Sequence, residues 1–186
     1  MVVFGHSYGG FIAQEFAICH PDKVAALILC DTAPGQLGEG EVESSGPPPP
    51  QQFIDFISNG PYTDAEFTEG MKTLIPTFFH RREAADVERS LDGSVYCASA
   101  NSRGFEVLAE WSAVDRLTSI TPPTLITVGS HDVFTSPSQS HRIAQRIPHA
   151  ELVEFPQSGH MPWMDEPDRF FEVVGEWLRR NVGQSA

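Results

Sequence analysis

Three observations predict an α/β fold built on a mostly parallel sheet. A short apolar run, Met1-Val2-Val3-Phe4, turns through Gly5-His6-Ser7-Tyr8-Gly9 directly into a helical pattern. Val24–Cys30 is a continuous apolar run of strand length, the mark of a strand covered on both faces, and Thr124–Val128 and Ala150–Phe155 read as further strands. Helical periodicities lie between and after these segments, and strand alternating with helix implies parallel strands joined by crossovers.

The elements follow in order. Gly10 to His20 reads as a helix, because Ile12 with Phe16 and Ala13 with Ala17 repeat at helical spacing and Pro21 lies just past the end. His20 ends that helix, where a cation suits the dipole. After the Val24–Cys30 strand, Gly35 to Gln52 is rich in Gly, Glu and Ser and ends in Pro47 to Pro50, so it reads as a stiffened linker. Phe53 to Trp111 reads as short helices with mixed faces, an inserted helical cap whose contacts come from Ile54, Phe56, Ile57, Phe67, Met71, Leu74 and Ile75. Alternation then returns. Pro137–Ile147 is a helix, and Pro167–Asn181 a closing helix with Phe170, Val173, Val174, Trp177 and Leu178 on one stripe. The expected organisation is therefore a first core segment over 1–34, linker and cap over 35–111, and the rest of the core over 112–186.

Composition narrows the function. A chain of 186 residues that is 40% hydrophobic supports one domain with a sizeable core. A net charge of −13 disfavours nucleic acid and anionic membrane as partners, since both reward basic clusters. Three widely spaced cysteines, Cys19, Cys30 and Cys97, make neither a disulfide framework nor a zinc site. Cys19 and Cys30 fall in apolar runs and read as buried thiols, which fits a reducing, cytoplasmic location. His80, His131, His141 and His149 show no metal-ligand spacing, and no metal or cofactor is expected.

Gly5-x-Ser7-x-Gly9 is the pattern of a nucleophile elbow, where a strand turns sharply into a helix and holds a serine hydroxyl at the apex. The strained apex asks for small neighbours, supplied by Gly5 and Gly9. A serine hydroxyl becomes nucleophilic only when a base takes its proton and a third group orients that base. Asp132, in the turn Gly129-Ser130-His131-Asp132, and His160, in Gln157-Ser158-Gly159-His160-Met161, each follow a strand and complete the order Ser, Asp, His. The expected roles are Ser7 as nucleophile, His160 as general base and then acid, and Asp132 as the orienting carboxylate. The Tyr8 backbone N–H is the expected oxyanion donor. His6 is expected to pack or hydrogen-bond beside the apex. Trp111, Trp163, Phe78 and Phe79 are candidates to line an acyl pocket, although core packing is the more frequent explanation for any one of them.

Gly5 to Glu15 with His20-Pro21-Asp22-Lys23-Val24, Pro123 to Gly129 leading to Asp132, and Ser158-Gly159-His160 leading to Glu166-Pro167 resemble the α/β-hydrolase superfamily. That resemblance covers about half the chain. It implies a partial α/β-hydrolase fold whose sheet starts at the nucleophile strand and carries an inserted cap. It also implies a cofactor-free serine hydrolase that cleaves a small ester, lactone or amide through an acyl-enzyme. Asp31 is a second candidate acid, because some members carry the carboxylate after this earlier strand; otherwise it caps a loop. Asp31-Thr32-Ala33-Pro34, Trp111 with Val114-Asp115-Arg116-Leu117, and Gly159-His160-Met161-Pro162 look like the proline iminopeptidase branch, with only a loose echo at Gly104-Phe105-Glu106. In that branch acidic cap residues receive the substrate's ammonium group, which makes Glu106 and Glu110 substrate-binding candidates beside Trp111 and Trp163. Four apart on a helix, the two glutamates also fit a solvated face.

The superfamily draws its second oxyanion donor from a loop after an earlier strand. The expectation is thus that the first part of the fold lies outside this sequence, and that the first strand forms an apolar edge prone to self-association. A non-catalytic, receptor-like protein that binds a small ligand is the alternative reading.

Overall fold

The computed structural model describes residues 1–35, 50–60, 63–81 and 84–183. Most of the expected linker, including Pro47 to Pro49, lies outside the described residues. Four strands form one parallel sheet in the order β1 (Val2–His6), β2 (Ala26–Cys30), β3 (Thr124–Gly129) and β4 (Glu151–Phe155). Each coincides with an expected strand, trimmed or extended by a residue or two at its ends.

Side chains of β2 alternate between two cores, which explains why its whole run is apolar. Leu27 and Leu29, with Ile126 of β3, pack on α1 (Tyr8–Cys19) and α6 (Pro137–Ala144) through Ala13, Ala17 and Ile143. Ala26 and Ile28, with Leu125, face the opposite layer, where Trp177 of α8 (Pro167–Asn181) is 1% exposed. The closing helix has the bounds that its stripe predicts. α6 ends at Ala144, before the expected Ile147, and Ile147 instead closes a turn by donating its N–H to Ile143. β1 lies at the sheet edge with Val2 and Phe4 exposed.

Between β2 and β3 the chain forms α2 (Gln51–Asn59), α3 (Asp64–Leu74), α4 (Ala84–Leu91) and α5 (Ala98–Glu110), with no strand among the described residues. Thr63 caps α3 by accepting the Glu66 N–H. α7 (Pro162–Asp165) is one short turn before α8. No helix among the described residues is long and apolar enough to cross a membrane.

Two expectations are corrected. Cys30 is buried, but Cys19 is exposed; it ends α1 on the side facing Glu15 rather than the sheet, a facing that an apolar run alone does not set. At the elbow, Gly5 is crowded by Gly9 and Ala13 and Gly10 by the Thr32 side chain, whereas a Cβ at Gly9 would meet nothing within 4 Å. The crowded pair where helix meets strand is therefore Gly5 and Gly10.

Candidate active site

The register brings His6 opposite Cys30, Cys30 opposite Thr127 and Gly129 opposite Phe155. The loops that follow all four strands therefore open at one end of the sheet, the usual location of ligand sites in open parallel sheets.

Ser7 joins β1 to α1 with φ 50° and ψ −120°. For a non-glycine residue such a conformation costs on the order of 1–3 kcal/mol and persists only when its surroundings enforce it. Here the Ser7 N–H donates to the Cys30 carbonyl at 3.0 Å, and the Ser7 carbonyl accepts from the Gly10 N–H at 2.9 Å and the Thr32 hydroxyl at 2.8 Å. Tyr8 is the first residue of α1, so its N–H lies in the first turn, where no helical carbonyl is available to it.

Asp132 and His160 meet in the interior. His160 Nδ1 lies 2.8 Å from Asp132 Oδ2, with both side chains buried. The other Asp132 oxygen accepts the N–H groups of Phe134 at 2.8 Å and Thr135 at 3.2 Å, and Oδ2 also accepts the Thr135 hydroxyl at 2.7 Å. Burial pushes the Asp132 pKa up, but the His160 charge and these hydrogen bonds outweigh it and hold the pKa below the ordinary value. The acid loop and the histidine loop are stitched together, the Ser130 and His131 N–H groups donating to the Phe155 and Ser158 carbonyls at 2.9 Å each.

His160 is also gripped from the helical region. Its N–H donates to the Phe78 carbonyl at 2.7 Å, and its ring meets Phe78 edge-on. Asp165, buried and unremarked in the sequence, accepts the N–H groups of Gly159 at 2.8 Å and His80 at 3.0 Å, binding the same two segments. Behind His160, His6 donates its Nε2–H to the His160 carbonyl at 2.8 Å, the hydrogen bond anticipated beside the apex. Burial, and then the charge of His160, lower the His6 pKa to about 3, so this ring stays neutral.

Ser7 and His160 line the same cavity, of about 80 Å³. Its walls are aromatic, with Tyr8 and Phe11 from α1, Phe53, Phe78 and Phe105 from the helical region, and Phe134. The Tyr8 hydroxyl bridges to the Gly104 carbonyl of α5 at 3.1 Å. An apolar groove of about 380 Å³ adjoins, sharing Tyr8, Phe11 and Leu108.

The remaining candidates fall outside the cavity. Trp111 lines the adjoining groove and donates to Glu15 at 2.8 Å. Trp163 stands against His6, ring centroids 4.5 Å apart, and Phe79 belongs to the buried core. Glu106 and Glu110 are exposed, with Glu106 paired to Arg103 at 2.8 Å. The solvated-face reading describes them better than a role in the cavity.

Asp31 does not bond the His160 ring nitrogen, which Asp132 takes. Among the described residues, Asp31, Asp132 and His160 are the one group of three or more that brings potential metal-ligating atoms within 4.8 Å of one another. Hydrogen bonds already engage all three side chains.

The chain is similar to hydrolases in sequence and in fold. The chain is 26% identical over 194 residues to a proline iminopeptidase of Clostridioides difficile, covering 96% of this chain and 66% of that protein. It is 27% identical over 181 residues to a pimeloyl-[acyl-carrier protein] methyl ester esterase of Chromobacterium violaceum, covering 95% of this chain and 69% of that one. A thermophilic esterase from Thermogutta terrifontis superposes with a TM-score of 0.70 at 28% identity, over 96% of this chain and 64% of that structure. The chain thus spans about two thirds of the length of these proteins. Residues 2–173 match the alpha/beta hydrolase family model, and the chain belongs to that family.

Proposed function

We propose that the chain carries a serine hydrolase site that cleaves a small, apolar carboxylic ester through an acyl-enzyme. One observation carries the reading: a serine in a strained elbow shares a cavity with a buried histidine whose far nitrogen is bonded to a buried carboxylate. In this reading His160 takes the Ser7 proton as the hydroxyl attacks the carbonyl carbon, and the C–O π pair moves onto the carbonyl oxygen. The Tyr8 N–H donates to that oxyanion. Collapse of the intermediate expels the alcohol, which receives the proton from His160. Water then repeats the sequence on the acyl-enzyme and releases the acid. Asp132 keeps Nδ1 protonated and stabilises the imidazolium that forms. Helices α2, α3, α4 and α5 act as the cap over this site.

The aromatic walls favour the ester over an aminoacyl amide. A free α-ammonium entering the cavity needs a carboxylate or several acceptors to replace its water, and Glu106 and Glu110 point elsewhere. The discriminating assay compares p-nitrophenyl butyrate with a prolyl anilide. Faster turnover of the ester is expected; preference for the prolyl anilide would instead support the aminopeptidase reading.

A further inference from the structure

Asp31 is fully buried, holds a left-handed φ of 44°, and stands beside the acid of the proposed site. Its Oδ1 accepts the Gly129 N–H at 2.9 Å and its Oδ2 faces the Cys30 thiol at 3.1 Å. A carboxylate oxygen of Asp31 lies within 4.8 Å of a carboxylate oxygen of Asp132 and of a His160 ring nitrogen. The titratable groups facing Asp31 are Cys30 from its own strand, Asp132 from the loop after β3 and His160 from the loop after β4; His6 of β1 stands behind His160.

Two adjacent buried carboxyl groups cannot both ionise cheaply, and the proton settles on the one with fewer charge-stabilising partners. Asp132 has four donors, His160 among them, while Asp31 has a single backbone N–H and a thiol. We propose that Asp31 is a positioning residue: a neutral carboxylic acid that donates a hydrogen bond to Asp132 and keeps one negative charge on the buried Asp31–Asp132–His160 chain. Burial and the Asp132 charge push its pKa well above the ordinary carboxyl value, in the same direction. The carboxyl thereby braces Asp132 without competing for the histidine. This inference rests on the roles proposed for Asp132 and His160.

The test is Asp31→Asn, which keeps the size, tolerates a left-handed φ, and offers an amide N–H where the acid offers O–H. The infrared difference spectrum of wild type minus variant at pH 7 is expected to contain the C=O stretch of a protonated carboxylic acid. The variant's Tm advantage is expected to be absent near pH 3.5 and to grow as pH rises, because only the unfolded wild-type Asp31 ionises in that range. Neither readout needs turnover, so neither depends on Ser7 being a nucleophile. In ester hydrolysis at pH 7 the variant's loss should fall well short of that for removing a triad member, because the amide N–H keeps a donor facing Asp132. A missing acid band, a Tm difference that does not change with pH, or a loss at pH 7 on the order of 10⁴, as for removal of a triad member, would overturn the proposal. Absent Ser7 labelling in a wild type that shows the acid band would instead refute the serine hydrolase reading.

Discussion

Asp132→Asn is the sharpest perturbation of the proposed mechanism, because the structure dictates how the amide must sit. Oδ1 accepts two backbone N–H groups, from Phe134 and Thr135, so the amide oxygen is held there. The amide nitrogen then replaces Oδ2, facing the Thr135 hydroxyl and His160 Nδ1. An N–H presented to Nδ1 stabilises the tautomer with its proton on Nε2, and that nitrogen can no longer accept the Ser7 proton. The expected loss is on the order of 10⁴ in kcat, about 5.5 kcal/mol at 1.36 kcal/mol per decade. Shape is unchanged, so the variant should bind substrate with a similar KM and unfold as one cooperative unit. Initial rates on p-nitrophenyl butyrate at pH 7, with a urea titration as the fold control, measure both. A folded Asp132→Asn protein within tenfold of wild type would refute the orienting role of Asp132.

Further outcomes follow from the same geometry. Trp177→Ala removes the anchor of the α8 layer and should destabilise the fold by about 3–5 kcal/mol, read as a lower urea midpoint with activity retained below the transition. His6 is neutral in the fold with a pKa of about 3, against 6.5 for the free side chain. Above pH 6.5 it leaves stability untouched, and as pH falls from 6.5 towards 3 only the unfolded chain gains the proton, so stability drops. His6→Gln should flatten that part of the Tm-against-pH curve. Glu106→Gln and Glu110→Gln should leave ester kinetics unchanged, because both side chains sit in solvent away from the cavity; a rise in KM for a prolyl anilide would restore them as ammonium ligands.

Much of this was legible in the sequence. The continuous apolar run of β2 is legible because both of its faces are covered, and β3 is buried along its whole length as well, whereas β4 carries exposed Glu151 and Glu154 and shows no such run. Ser7, Asp132 and His160 were legible because a parallel sheet brings every post-strand loop to one end, whatever the separation in the chain. What the sequence hid depends on packing across the sheet. The contact between Asp31 and Asp132 arises from the register of β2 against β3, which no local pattern encodes. Asp165 carries no distinguishing mark in the sequence; only the fold aims it at the Gly159 and His80 amides. The cavity walls were half visible: Phe78 was a candidate, but Phe53, Phe105 and Phe134 come from segments of mixed polarity whose inward face is set by tertiary packing.

The central claim is that Ser7 is an activated nucleophile. Its most direct test is fluorophosphonate labelling of the wild-type chain beside Ser7→Ala and His160→Ala, with the adduct mapped by mass spectrometry. One adduct is expected, on Ser7, absent in Ser7→Ala and strongly slowed in His160→Ala. A folded wild-type chain that stays unlabelled, or one labelled equally well without His160, would contradict that claim and favour a ligand-binding role for the cavity.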